Sequence, residues 1–221
     1  MENENTEIIE EIKPEAPKKK KKLFGKIKTK NIALAAVLTA ISFVLPYFIP
    51  SIIIPPDMSV TLLSHTPIFI AMFINPFVAV FTCIGTLGAF MAKPQTMGLP
   101  TVWIRAGSHI IFAIVGSVIM SKWKKGYKGV SFYTVCGIIT LIHAVFEMLS
   151  ALIAFAIAAP GAPAVLTSRY IFIVVGLVTV VHSIFDYSFA VLIYNTLSQA
   201  RLVKNRFDLR IIKKRKIMNN P

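Results

Sequence analysis

Six stretches of this sequence are apolar over lengths that match a lipid bilayer, and that pattern restricts the fold more than anything else in the chain. They fall at about residues 31–54, 60–75, 77–92, 102–120, 131–158 and 170–197. A hydrocarbon core of roughly 30 Å is crossed by about 20 apolar residues of helix. Composition agrees, since 55% of the 221 residues are hydrophobic and the mean hydropathy is +0.69. A soluble domain that must present a polar surface to water does not carry such a balance. The expected fold is therefore an all-α membrane protein with six transmembrane helices. The second and third, about 16 residues each, meet at "FINPF", where Asn75 and Pro76 mark a tight turn. They are expected to form a hairpin that need not fully span, which leaves the parity of the topology unchanged.

Charge sets the orientation. Of the 24 Lys and Arg, nine lie in residues 1–30, four in "SKWKKGYKG" and eight after residue 200. The alternate loops hold only Lys93 and Arg169, with Arg105 just inside a helix. The positive-inside rule then puts both termini in the cytoplasm. The expected organisation is a charged cytoplasmic tail at 1–30, a membrane domain at 31–200 and a basic cytoplasmic tail at 201–221. The first tail reads as disordered until "KLFGKIKTK", an interfacial anchor. The first apolar run is followed by five more, so it reads as a retained helix and not a cleaved signal peptide. The net charge of +14 flanks helices without an aromatic-interleaved binding module, which argues for lipid headgroups and topology and against nucleic acid. Cys83 and Cys136 stand alone in apolar runs and read as packing residues.

Ionisable residues within the membrane are few: Arg105, Glu147 and Asp186, with His65, His109, His143 and His182. Taking each run's midpoint as the bilayer centre and ~1.5 Å of rise per residue, Glu147 and His65 lie ~4 Å, His109 ~3 Å and His182 ~2 Å to the outer side. Arg105 lies further out, near ~9 Å. Several helices thus contribute to one polar layer. His143 and Glu147, like His182 and Asp186, are four apart and share a helix face. Because the last two spans run in opposite directions, residues at one height keep a constant index sum. That rule pairs Glu147 with His182 and His143 with Asp186, a cross-helix clasp.

Two function classes fit such a layer. One is a solute-binding membrane subunit, with its pocket under the outer loops "PSIIIPPDMS", "KPQTMGLPT" and "APGAPAVLTSRY". The other is an intramembrane hydrolase, in which His and carboxylate hold a metal or activate water. Spacing disfavours the hydrolase, because neither H-E-x-x-H nor a doubled acid of the E-E-x-x-x-R type occurs within the membrane. No enzyme, cofactor or resident metal is expected. No G-x-x-x-x-G-K-[ST] loop is present either, so a transporter built on this chain takes its energy from an ion gradient or from partner subunits. Ala33, Ala36 and Ala40 form a ridge on the first helix where another helix can approach closely.

The A-x-x-x-A of Ala36 and Ala40, the six short-looped spans and the missing ATPase motif resemble the S component of an energy-coupling factor (ECF) vitamin transporter. Longer strings, "SHTPIFIAMFINP", "IRAGSHIIFAIVG", "HAVFE" and "VVHSIFDY", are similar to the niacin-specific S components, over roughly residues 31–197. The resemblance implies a bacterial multi-pass membrane protein that binds nicotinic acid at the outer face and docks onto a transmembrane T component carrying two ABC-type ATPases. It implies that Ala36 and Ala40, with Ala33, face the T component. The expected substrate-binding residues are Arg105, His109, Glu147, His182 and His65, with Trp103 or Tyr170 against the pyridine ring. Two carboxylates against one arginine sit awkwardly with an anionic ligand, so a neutral or cationic vitamin remains the alternative substrate.

The orientation is open to cysteine labelling. With both termini inside, Thr6→Cys and Asn219→Cys are shielded from a membrane-impermeant thiol reagent in intact cells and react after permeabilisation; prompt labelling of intact cells would reverse the topology.

Overall fold

A computed structural model of the chain describes residues 28–55, 58–92, 99–123, 130–158 and 164–204. The expectations for the distal parts of both tails, and for most of the loops at 93–98, 124–129 and 159–163, lie outside the described residues. Helix α1 (Thr29–Phe48) is followed by the antiparallel strands β1 (Ser51–Ile54) and β2 (Met58–Thr61). Helices α2 (Thr66–Ile74), α3 (Pro76–Ala92), α4 (Leu99–Lys122) and α5 (Val130–Ala158) come next. The chain ends in α6 (Ala164–Arg169), a π-helical segment at Tyr170–Gly176, and α7 (Leu177–Gln199).

Among the described residues, four helical stretches are long and apolar enough to cross a membrane: Thr29–Phe48, Val102–Lys122, Val130–Ile157 and Thr167–Gln199. The protein is a predominantly helical, multi-pass membrane protein. The all-α expectation needs correcting at residues 49–61, where the first apolar run ends as a β-hairpin and not as helix. Pro50 lacks an N–H and pushes Ile49 into extended backbone (φ −99°, ψ 123°). The β-branched run Ile52–Ile54 then pairs in register, Ser51 opposite Thr61 and Ile54 opposite Met58. The Ser51 and Thr61 hydroxyls lie 2.6 Å apart at its base.

The second apolar run also divides. Its first residues supply β2, and only nine remain for α2, which at ~1.5 Å per residue is about half of what a span needs. Thr66 to Phe73 are all buried, as expected for a helix that is apolar all round. Helices α1, α3, α4 and α7 pack around it. Phe69 meets Phe112 and Tyr187 edge to face, and Phe73 meets Tyr187 and Tyr194 in the same way. The turn into α3 is local chemistry. The Asn75 side-chain oxygen accepts the Val78 amide at 3.0 Å, and Pro76 opens the helix where no amide is required.

Helix α1 packs chiefly on α3, and the closest approach is at Gly85. A Cβ there would lie 2.5 Å from the Thr39 carbonyl oxygen. Gly85→Ala therefore forces the two backbones apart and lowers thermal stability in detergent by about 1–3 kcal/mol. Gly137→Ala, inside α5 with nothing within 4 Å of its new methyl, holds or raises the melting temperature. Equal melting of the two variants would contradict the tight α1–α3 contact.

Candidate functional site

The chain contains four histidines, and the fold brings all of them together at the hairpin end of the bundle. His65 sits in the turn between β2 and α2, His109 on α4, His143 on α5 and His182 on α7. His65 is central. Its Nδ1 lies 2.7 Å from His182 Nε2, its Nε2 lies 2.9 Å from His109 Nε2, and its ring centroid is 4.7 Å from that of His143. All four are buried, so the polar layer expected from helix depth exists.

His65 is held there by Asp186. The Leu63 amide donates to Asp186 Oδ1 at 2.8 Å and the His65 amide donates to Oδ2 at 2.9 Å. The Thr66 hydroxyl donates to the Asp186 carbonyl at 3.3 Å. Leu63 adopts φ 65°, a left-handed conformation that an L-residue holds only when its surroundings fix it. A fully buried carboxylate from α7 thus replaces the strand or helix partners that these amides lack.

The cross-helix clasp is not the pairing observed. Glu147 Oε2 accepts from Arg105 Nε at 2.8 Å, and its Oε1 lies 2.9 Å from His109 Nε2. Asp186 takes the backbone amides, with His65 Nδ1 and its own helix neighbour His182 Nε2 each 3.5 Å away. His143 pairs through Nδ1 with Ser183 Oγ at 2.6 Å and stacks on Phe112 at 4.3 Å. Helices α5 and α7 are neighbours, but the index sum addresses height alone. It carried no information on helix rotation or on third elements, and both α4 and the His65 turn bring groups that compete for the carboxylates.

A cavity opens beside this network, with about 520 Å³ of space between atoms, its mouth included. Arg105, His109, Glu147, His182 and His65 line it. Trp103 and Tyr170 do not. Trp103 is 40% exposed: two residues along a helix is a rotation of about 200°, so with Arg105 turned inward Trp103 turns out. Tyr170 packs edge-on against Phe155 and donates its hydroxyl to the Ile54 carbonyl at 3.3 Å, which props β1. The aromatic that does line the cavity is Phe90, near the end of α3, and nothing in the sequence separates it from the other apolar residues of that helix. Strand β2 forms a further wall through Met58 to Thr61, with Thr179 on α7. Thr179 was legible in principle, being one turn before His182 on the same face.

Away from the cavity, Ala36 and Ala40 line an apolar groove with Thr39 and Phe43 of α1 and Phe77 and Phe81 of α3. Ala33 is exposed on α1 but outside that groove.

The Ser183–His143 pair has the distance of a nucleophile and its base, yet His143 Nε2 has no hydrogen-bond partner to orient it. Neither residue lines the cavity. Among the described residues, one ring nitrogen from each of His65, His109 and His143 lies within 4.8 Å of the others, a set that fits a metal ion; His65, His182 and Asp186 form a second such set.

No protein-family model matches the chain, and no solved structure matches it. Among curated proteins it is similar to the niacin transporter NiaX of Lactococcus lactis subsp. cremoris (strain MG1363), with 35% identity over 98 residues. The matched region spans 44% of this chain and 43% of that protein.

The Asp186 clamp predicts an order of stabilities. Asp186→Ala leaves two buried amides unpaired and costs about 2–4 kcal/mol. Asp186→Asn keeps one carbonyl oxygen for them and loses less. Melting curves in detergent should rank wild type above Asp186→Asn and that above Asp186→Ala; an Asp186→Ala protein as stable as wild type would refute the clamp.

Proposed function

We propose that this chain is the substrate-binding membrane subunit, or S component, of an ECF-type vitamin importer, and that nicotinic acid is its substrate. The observation that carries the reading is the cavity at the hairpin end. It joins one arginine, three histidines and a carboxylate with the hydroxyls of Ser59, Thr61, Ser64 and Thr179 among apolar side chains, and such a pocket, with convergent polar groups, is built to orient a small polar ligand. The similarity to a niacin transporter points to the same class of ligand. With both tails in the cytoplasm, the cavity faces outward, where a vitamin is captured at a bacterial cell membrane.

The ligand's carboxylate meets the guanidinium of Arg105, a planar fork suited to a planar anion. Glu147, bonded to Arg105 Nε, fixes that fork in place. The histidines offer hydrogen bonds to the pyridine nitrogen, and Phe90 supplies the aromatic contact that Trp103 and Tyr170 do not. The groove at Ala36 and Ala40 is the docking face for the transmembrane T component, which carries two ATPases. The Arg105–Glu147 pair also supports a second reading, in which a neutral ligand such as nicotinamide occupies the cavity.

Calorimetric titration of purified protein tests these assignments. Wild type binds nicotinate; Arg105→Lys weakens it at least tenfold, as expected from losing a charge-assisted hydrogen bond of about 1.5–3 kcal/mol, with nicotinamide binding unchanged. Ala36→Trp abolishes uptake in cells while nicotinate binding persists. Unaltered nicotinate affinity in Arg105→Lys would overturn the role of Arg105, and a wild type that binds only nicotinamide would replace the substrate.

A further inference from the structure

We infer that His65, His109 and His143, with Glu147 beside them, form a binding site for a divalent transition-metal ion of the zinc class beneath the cavity. In each of the three imidazoles Nδ1 already has an outer partner. His109 Nδ1 faces the Ala106 carbonyl at 3.2 Å, His143 Nδ1 the Ser183 hydroxyl at 2.6 Å, and His65 Nδ1 lies 2.7 Å from His182 Nε2. Metal-bound histidines are oriented in this way, with one nitrogen fixed by a carbonyl, hydroxyl or ring neighbour so that the other is presented to the ion.

Two of the Nε2 atoms turn toward each other. His65 Nε2 lies 2.9 Å from His109 Nε2, which lies 2.9 Å from Glu147 Oε1. Ligand atoms around a tetrahedral zinc with bonds of about 2.0–2.1 Å are separated by roughly 3.3 Å, so these two separations need to open by only a few tenths of an ångström, and one nitrogen from each of His65, His109 and His143 already lies within 4.8 Å of the others. His109 is the informative residue, because its Nδ1 faces a carbonyl oxygen and its Nε2 a carboxylate oxygen. Two acceptors on one neutral ring call for a positive centre, either a second ring proton or a metal ion. The proton leaves His143 Nε2, in a side chain 1% exposed, without any hydrogen-bond partner; the ion takes it up.

Charge points the same way, since with neutral histidines the buried layer carries Arg105 against Glu147 and Asp186, a net negative charge inside an apolar bundle. Three nitrogens and one carboxylate select zinc, cobalt or nickel over magnesium or calcium, which prefer all-oxygen sites. The alternative set of His65, His182 and Asp186 is less suited, because both Asp186 oxygens already accept backbone amides.

The test uses full-length protein without a histidine tag, in detergent, stripped with chelator. Since all four of the chain's histidines lie in this buried layer, added Co²⁺ that gives an intense tetrahedral absorption reports on it. Wild type is expected to bind one Co²⁺ per chain, displaced by one Zn²⁺, with a rise in melting temperature. His143→Gln and His109→Gln should each weaken Zn²⁺ binding at least tenfold and lose the tetrahedral spectrum, while His182→Gln, which removes the neighbour of His65 Nδ1 but no ligand, keeps that spectrum at reduced affinity. A weak octahedral spectrum in wild type, or unchanged Zn²⁺ affinity in both His143→Gln and His109→Gln, overturns the site. Should one variant fail to fold by its melting curve, the other decides. Nicotinate titration of the stripped protein is a separate arm: zinc binding without nicotinate binding leaves the metal site standing and removes the proposed substrate.

Discussion

The interaction on which the rest of this structure depends is the acceptance of the Leu63 and His65 amides by the Asp186 carboxylate. Irregular backbone is costly at membrane depth because no water is present to satisfy its polar groups. The turn between the β-hairpin and α2 is such backbone, and it includes a leucine in the left-handed region. By supplying two acceptor oxygens from α7, the protein can end its first apolar run as a hairpin and start a short buried helix inside the bundle. That placement puts His65 at the centre of the polar layer, where three other helices reach it. Without it, α2 would have no fixed height and the four histidines no common meeting point.

Each ionisable group in this layer then has more than one duty. Glu147 holds Arg105 on one oxygen and faces His109 with the other. Arg105 is thereby a cavity wall and a neutralising partner at once. Buried ion pairs are rarely a source of net stability, because desolvation offsets much of the Coulombic gain. Retaining one in the wall of a cavity is easier to understand as orientation of a guanidinium toward a ligand than as reinforcement of the fold. The histidine cluster differs, since His143 Nε2 and His182 Nδ1 are buried there without a hydrogen-bond partner.

The two surfaces with a proposed role lie on different helices. The cavity draws on β2, α3, α4, α5 and α7, whereas the apolar groove lies between α1 and α3. Helix α1 is pressed against α3 at Gly85 and contributes nothing to the cavity lining. A partner that fills the groove therefore does not compete with a ligand, and α3, which carries Phe90 at one end and Phe77 and Phe81 at the other, is the element that touches both.

How much was legible in the sequence follows from which forces are local. Apolar run length fixed the membrane class, because the cost of unsatisfied backbone in lipid leaves few alternatives to helices. Asn75 and Pro76 marked the α2–α3 turn, since capping and a missing amide act within a few residues. Heights along each run placed His109, Glu147 and His182 in one layer, because a helix advances uniformly; His65 joins them from a turn, where that rule does not apply. Partners were a different matter: Asp186 was matched to His143 and in fact binds backbone amides, and Glu147 was matched to His182 and in fact holds Arg105 and faces His109. Trp103 was placed with Arg105 by adjacency, although two helical positions point in nearly opposite directions. The sequence by itself thus determined which groups lie at which depth. Only the tertiary structure decided which of them touch, because contact depends on the rotation of each helix and on a turn whose position is set by a carboxylate more than a hundred residues away.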